Sequence, residues 1–197
     1  MLELSRQTAL AHRSAPDNTS ISIREIANRG MIDLRGHTTD RKFMAAAKTV
    51  LGFDLPKAPR TSAGFGDIKA LWLSPDQWLI TCNGDKATEL HTELVKELGN
   101  VHSLAVNVSD MRSVIRLEGA GVRETLMKGS SLDLTDESYA PGVVRRLRFA
   151  EIAALLHVVE DQVMDLYVFR SYAEYAWDFL LKAARKGAEV KPFPNAL

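Results

Sequence analysis

The sequence predicts an α+β fold: a strand-strand-helix-strand-strand-helix unit that occurs twice, with antiparallel sheets and helices layered on them. Three observations lead there. Segments alternating apolar and polar residues are joined by short polar turns, which implies hairpins and antiparallel pairing. Segments of helical period are interleaved with those hairpins, so helices must cover sheet faces. An ordered series of matches also links the two halves of the chain.

Residues 1–18 read as a polar arm without its own core, although Leu2, Leu4 and Leu10 lie in it. Residues 19–27 and 29–36 alternate as strands, with Ile21 and Ile23 apolar in the first. HTTDRKFMAAAKTVLG then reads as a helix: a Thr or Asp caps it, Phe43, Met44, Ala47, Val50 and Leu51 form its apolar face, and Gly52 stops it. Pro56, Pro59, Gly64 and Gly66 bracket a loop over 56–66. LWLSPDQWLI is a hairpin. Ile68, Ala70 and Trp72 share one face of its first strand, and Trp78, Ile80 and Cys82 one face of its second. Ser74-Pro75-Asp76-Gln77 suits a type I turn, because Pro75 already has the required φ. Residues 85–99 read as a helix with Asp85 as cap, Leu90, Leu94, Val95 and Leu98 inward, and Gly99 as stop.

The second half opens with strands at 101–108 and 112–119, then a short helix over 121–129. Residues 145–160 form one long apolar strand region with a bend in its middle, and 163–170 another strand. Ser171 and Glu174 have capping-box spacing for a last helix whose stripe is Tyr172, Tyr175, Ala176, Phe179 and Leu180. The tail VKPFPNAL has no regular pattern.

RGMIDLRG and RSVIRLEG match in Arg, Ile, Leu and Gly at the same spacing. Phe53-Asp54-Leu55 answers Leu132-Asp133-Leu134, and Asp76-Gln77 answers Asp161-Gln162. The matches keep their order at offsets of 79 to 85 residues. The expected organisation is an arm (1–18), a first repeat (19–99), a second repeat (100–187) and a tail (188–197), with the repeats packed as one unit. The second hairpin has no tryptophan, so the turn itself is scaffold. Trp72 and Trp78 are read as inter-layer or interface packing, in preference to ligand stacking.

Lys+Arg and Asp+Glu stand at 25 each, so the chain lacks the basic excess of a nucleic-acid binder. A net charge of zero removes the self-repulsion that keeps chains apart and favours assembly, including with a second copy. Cys82, the one cysteine, can form neither an internal disulfide nor a zinc site alone. No stretch is long and apolar enough for a signal peptide or a membrane span, so a cytoplasmic location is the expectation.

Taken in order, LWLSPDQWLI, VNVSDMRSVIRLEG, LMKGSSLDL and VFRSYAEYAWDFL resemble the gamma subunit of heterotetrameric sarcosine oxidase, in the folate-binding superfamily of the glycine-cleavage T-protein. The likeness covers about residues 19–185. The chain departs from the family at Ser130 or Ser131, where a Cys is frequent, and at Val144-Arg145-Arg146. The resemblance implies a T-protein-like folate-binding fold. It also implies membership in an enzyme that demethylates sarcosine oxidatively to glycine, passing the one-carbon unit to tetrahydrofolate or releasing formaldehyde. FAD, FMN, NAD, zinc and tetrahydrofolate would sit on partner subunits, with alpha the chief partner and beta and delta in the complex. The gamma chain would be a structural, non-catalytic part. The other reading of the same likeness is a free-standing folate-binding or one-carbon-transfer protein.

The residues suggest no chemistry of their own. Gly119-Ala120-Gly121 lacks the third glycine of a dinucleotide loop. The five histidines show no metal-ligand spacing, and His157 on an apolar strand reads as a hydrogen-bonded core residue. Arg112 and Arg170 are the candidates for clamping a folate carboxylate. Against that stands pairing with Asp110, Asp165 or Glu174. Docking is expected at the arms, at Phe193 between two prolines, and around Trp72 or Trp78.

Overall fold

A computed structural model of the protein describes residues 7–190. Its elements run β1 (Ser22–Glu25), β2 (Arg29–Arg35), α1 (Arg41–Leu51), β3 (Ser62–Phe65), β4 (Ile68–Ser74), β5 (Gln77–Asn83), α2 (Ala87–Leu98), β6 (Leu104–Asn107), β7 (Arg112–Glu118), α3 (Val122–Met127), β8 (Val144–Phe149), β9 (Ile152–Glu160), β10 (Val163–Phe169) and α4 (Ala173–Ala183). They form two five-stranded antiparallel sheets, in the orders β3-β4-β5-β2-β6 and β1-β7-β10-β9-β8.

Alternation along the strands builds four layers. Ile32, Leu34, Trp78 and Ile80 point outward from the first sheet onto Phe43, Ala47 and Leu51 of α1 and Leu90 and Leu94 of α2. Ile115, Leu117, Leu166 and Val168 do the same from the second sheet onto Leu126 of α3 and Trp177 and Leu180 of α4. The alternate residues meet between the sheets: Met31, Leu71 and Leu79 against Val114, Val144, Leu155 and Tyr167.

The first strand of each half lies in the other half's sheet. β1 pairs with β7, Ile23 opposite Leu117, and β6 pairs with β2, Val106 opposite Asp33. Each sheet therefore needs a strand from both halves. The links that cross over are fastened alike: Ile26 donates its N–H to Val114 O and Val108 to Met31 O, both at 2.8 Å.

Several expectations are corrected. The bend in residues 145–160 is a full hairpin, β8-β9, whose turn places Ala150 at φ 47°. The loop at 56–66 contains β3, and each half thus has three strands between its helices. Asp40 is the cap of α1, accepting from Lys42 N and Phe43 N, and Gly52 closes that helix in the left-handed region. Asp85 and Ser171 are not caps. A 3-10 turn precedes both α2 and α4, and Asn83 caps the first of these turns. Val95, Tyr172 and Tyr175 are exposed, and Trp177 takes the inward position on α4.

The arm does have a core to enter. Leu10 is buried in the second sheet's cluster, while Arg13 reaches Glu174 and Asp178 on α4. Leu2, Leu4 and Phe193 lie outside the described residues.

Candidate binding cleft between the sheets

Strand register sets one row of side chains across the inner face of the second sheet: Val144 on β8, His157 on β9, Asp165 on β10, Arg116 on β7 and Arg24 on β1. Asp165 is buried and accepts two hydrogen bonds from Arg116, from Nε at 2.6 Å and from Nη2 at 2.9 Å. This side-on pairing uses both carboxylate oxygens and keeps the buried charge compensated.

Arg29, at the start of β2, approaches from the opposite sheet. Its Nη2 stands 3.8 Å from Asp165 Oδ2, beyond hydrogen-bond length, and its buried Nε has no partner. Arg29, Arg116, Lys69, His157 and Tyr167 line a cleft of about 360 Å3, with Thr81 and Cys82 between them.

Burial dominates the titration of this region. His157 is pushed down to about 4 by desolvation, with Lys69 adding to the effect. Its ring is neutral at pH 7. Ser62 Oγ gives its proton to Gly142 O at 2.8 Å, so the His157 Nε2–H, 3.3 Å away, donates to that hydroxyl and Nδ1 is the bare nitrogen. The reading of His157 as a hydrogen-bonded core residue agrees. Desolvation also raises the Tyr167 phenol and the Cys82 thiol, which favours the protonated thiol over the nucleophilic thiolate. Among the described residues no group of three His, Cys, Asp or Glu could hold a metal ion.

The sequence-predicted residues lie elsewhere. Arg112 and Arg170 do line one void together, but at about 20 Å3 it has room for a water and none for a glutamyl chain. Arg112 lies over the Phe169 ring, 4.5 Å from its centroid, and burial followed by the nearby Arg146 pushes its pKa down. Arg170 donates to Gln7 O at 2.5 Å, tying down the arm. Of the expected partners Asp110, Asp165 and Glu174, the last two hold Arg116 and Arg13.

Trp78 is fully buried, stacks on Phe43 with centroids 5.8 Å apart, and donates to Pro56 O at 2.8 Å. It belongs to the core and not to a docking surface. Trp72, directly opposite it on β4, packs on the same core and is half-buried. Arg29 and Arg116 escaped the sequence reading as site residues. The signal in phase is Asp165, which takes an inward position of β10 beside Val163, Tyr167 and Phe169, whereas β7 places Arg112 and Glu118 on the same face as Arg116.

Known proteins resemble the chain in sequence and in fold. A family model described as the sarcosine oxidase, gamma subunit family matches residues 35–186. A sarcosine oxidase subunit gamma of Corynebacterium sp. (strain P-1) is 29% identical over 177 residues, covering 88% of this chain and 86% of that one. In a solved heterotetrameric sarcosine oxidase from Corynebacterium sp. U-96, one chain superposes with a TM-score of 0.85 at 24% identity, covering 95% of this chain and 98% of that one. Aminomethyltransferase T of the glycine cleavage system from Bartonella henselae shares the fold with a TM-score of 0.65 at 12% identity, over 83% of this chain and 46% of that one. With more than half its length matched by the family model, the chain belongs to the sarcosine oxidase gamma subunit family.

Proposed function

We propose that this chain is the gamma subunit of a heterotetrameric sarcosine oxidase and serves it as a structural, non-catalytic component. The observation that carries the reading is the family match over residues 35–186. In keeping with it, the buried inter-sheet carboxylate Asp165 is held by Arg116, and the one thiol is buried. The complex would convert sarcosine to glycine, passing the one-carbon unit to tetrahydrofolate or releasing formaldehyde, with FAD, FMN, NAD, zinc and tetrahydrofolate on the other subunits. Alpha is the main partner in this reading, with beta and delta completing a cytoplasmic assembly. No helix among the described residues is long and apolar enough to cross a membrane.

Residues 19–99 and 100–187 are, in this proposal, two copies of one unit. Paired backbone bonds support it. Gly84 N–H to Asn28 O (3.1 Å) answers Arg170 N–H to Met111 O (3.0 Å), and Gly36 N–H to Asp76 O (3.0 Å) answers Gly119 N–H to Gln162 O (2.9 Å). Arg112 and Arg170 then act as anchors of the arm and the crossover.

Co-expression with the alpha, beta and delta chains is the test. The tagged chain should bring down a coloured, sarcosine-oxidising complex, and alone it should be colourless and inactive. Peroxide production by the purified chain alone would exclude the non-catalytic role, and failure to associate with alpha would exclude the subunit role.

A further inference from the structure

The inter-sheet cleft has an imbalance of charge that the fold does not use. Three cations line it, Arg29, Lys69 and Arg116, against two carboxylates, Asp165, which is taken by Arg116, and the exposed Asp67 at the rim, 3.9 Å from Lys86, so one positive charge is in excess. That leaves Arg29 and Lys69. Arg29 is only 19% exposed, its closest carboxylate oxygen is out of hydrogen-bond reach, and its Nε is unpartnered. Lys69 makes no ion pair among the described residues. A half-buried guanidinium without its hydrogen bonds is costly to keep. The cleft's volume, about 360 Å3, falls within the range of small-molecule sites. Its wall also has an apolar part, Ile26 and Val159, beside the polar one.

We propose that this cleft is a binding site for a short-chain organic monocarboxylate, its carboxylate held between Arg29 and Lys69 and its alkyl body against Ile26 and Val159. A planar carboxylate matches a guanidinium fork, and one negative charge answers the local excess. Thr81, between Lys69 and Arg29 on the same sheet, hydrogen-bonds the Tyr167 phenol and so fixes that wall of the cleft. The site is independent of the subunit role: it concerns this chain's own cavity and can be measured without partners.

The experiment is calorimetry and thermal unfolding of the full chain with sodium butyrate, set against sodium chloride at equal ionic strength, sodium phosphate and butylamine hydrochloride. Butyrate should bind saturably and raise the melting temperature, because a ligand specific to the folded state stabilises it by mass action. Lys69→Met should weaken binding about tenfold, the loss of one charge-assisted hydrogen bond, while leaving the ligand-free melt in place. Arg29→Gln should abolish binding. The proposal fails if butyrate does no more than sodium chloride, or if both variants bind it as well as the parent. Stronger stabilisation by phosphate than by butyrate would overturn the carboxylate assignment, and binding of butylamine would overturn the sign of the site.

Discussion

Arg116 Nε and Asp165 Oδ1 meet at 2.6 Å across the β7-β10 pair, and Arg116 Nη2 closes the second prong on Oδ2 at 2.9 Å. The two residues are direct cross-strand partners, so the pair is fixed by register and not by a flexible side-chain search. With Asp165 buried, removing one member strands the other. Asp165→Ala should lower stability by about 3–5 kcal/mol. The double variant Arg116→Met with Asp165→Leu should recover most of that loss, because well-packed apolar residues replace such a pair at little cost. Urea denaturation of the two variants distinguishes them. Equal losses would mean that shape, and not uncompensated charge, governs the position.

His157 makes stability depend on pH in a stated direction. Its folded value, about 4, lies below the unfolded 6.5, so the unfolded chain binds the proton first. Its contribution is fully present above pH 6.5 and is lost as pH falls towards 4, by roughly 3 kcal/mol in total. His157→Gln keeps a donor for Ser62 and removes the titration. It should flatten the stability profile between pH 6.5 and 4 relative to the parent. An unchanged slope would assign the acid sensitivity to other groups.

The two hairpin tryptophans should respond oppositely to the same substitution. Trp78 Nε1 donates to Pro56 O, whereas the buried Trp72 Nε1 has no acceptor. Trp78→Phe leaves a carbonyl unmet and a gap beside Phe43, costing about 2–4 kcal/mol. Trp72→Phe removes an unsatisfied donor and should be neutral or slightly stabilising. A comparison of thermal melts suffices. Similar losses for both would show that volume alone matters at this hairpin.

Much of the fold was legible because alternation reports which face of a strand is buried. Ile68, Ala70, Trp72, Trp78, Ile80 and Cys82 all fall on the helix-covered side that their phase predicts. Phase does not name a partner, however. Nothing in the spacing of β1 and β6 says that they cross to the opposite sheet, since a three-residue link such as 26–28 suits a hairpin equally well. The β8-β9 turn was hidden because Ala150 takes a left-handed φ without glycine or asparagine to announce it. The caps at Asp85 and Ser171 failed because a 3-10 turn shifts each helix start by one turn. The Arg116–Asp165 pair joins residues 49 apart in sequence, and only the sheet order makes them neighbours.

Strand exchange carries the last prediction. If each sheet takes an edge strand from the other half, and the sheets cover each other through Met31, Leu71, Val114 and Tyr167, neither half has a complete core alone. Cutting between Gly99 and Asn100, both exposed and just beyond α2, breaks no strand or helix. Fragments 1–99 and 100–197 should each be poorly folded alone, with β1 and β6 lacking their partners. Mixed or co-expressed, they should form one complex with a single cooperative melt, because β1-β7 and β2-β6 pairing restores both sheets. Circular dichroism of the separate and mixed fragments, with gel filtration, reads the outcome directly. A fragment that melts cooperatively alone at the temperature of the intact chain would show that a half is self-sufficient and the exchanged strands are dispensable.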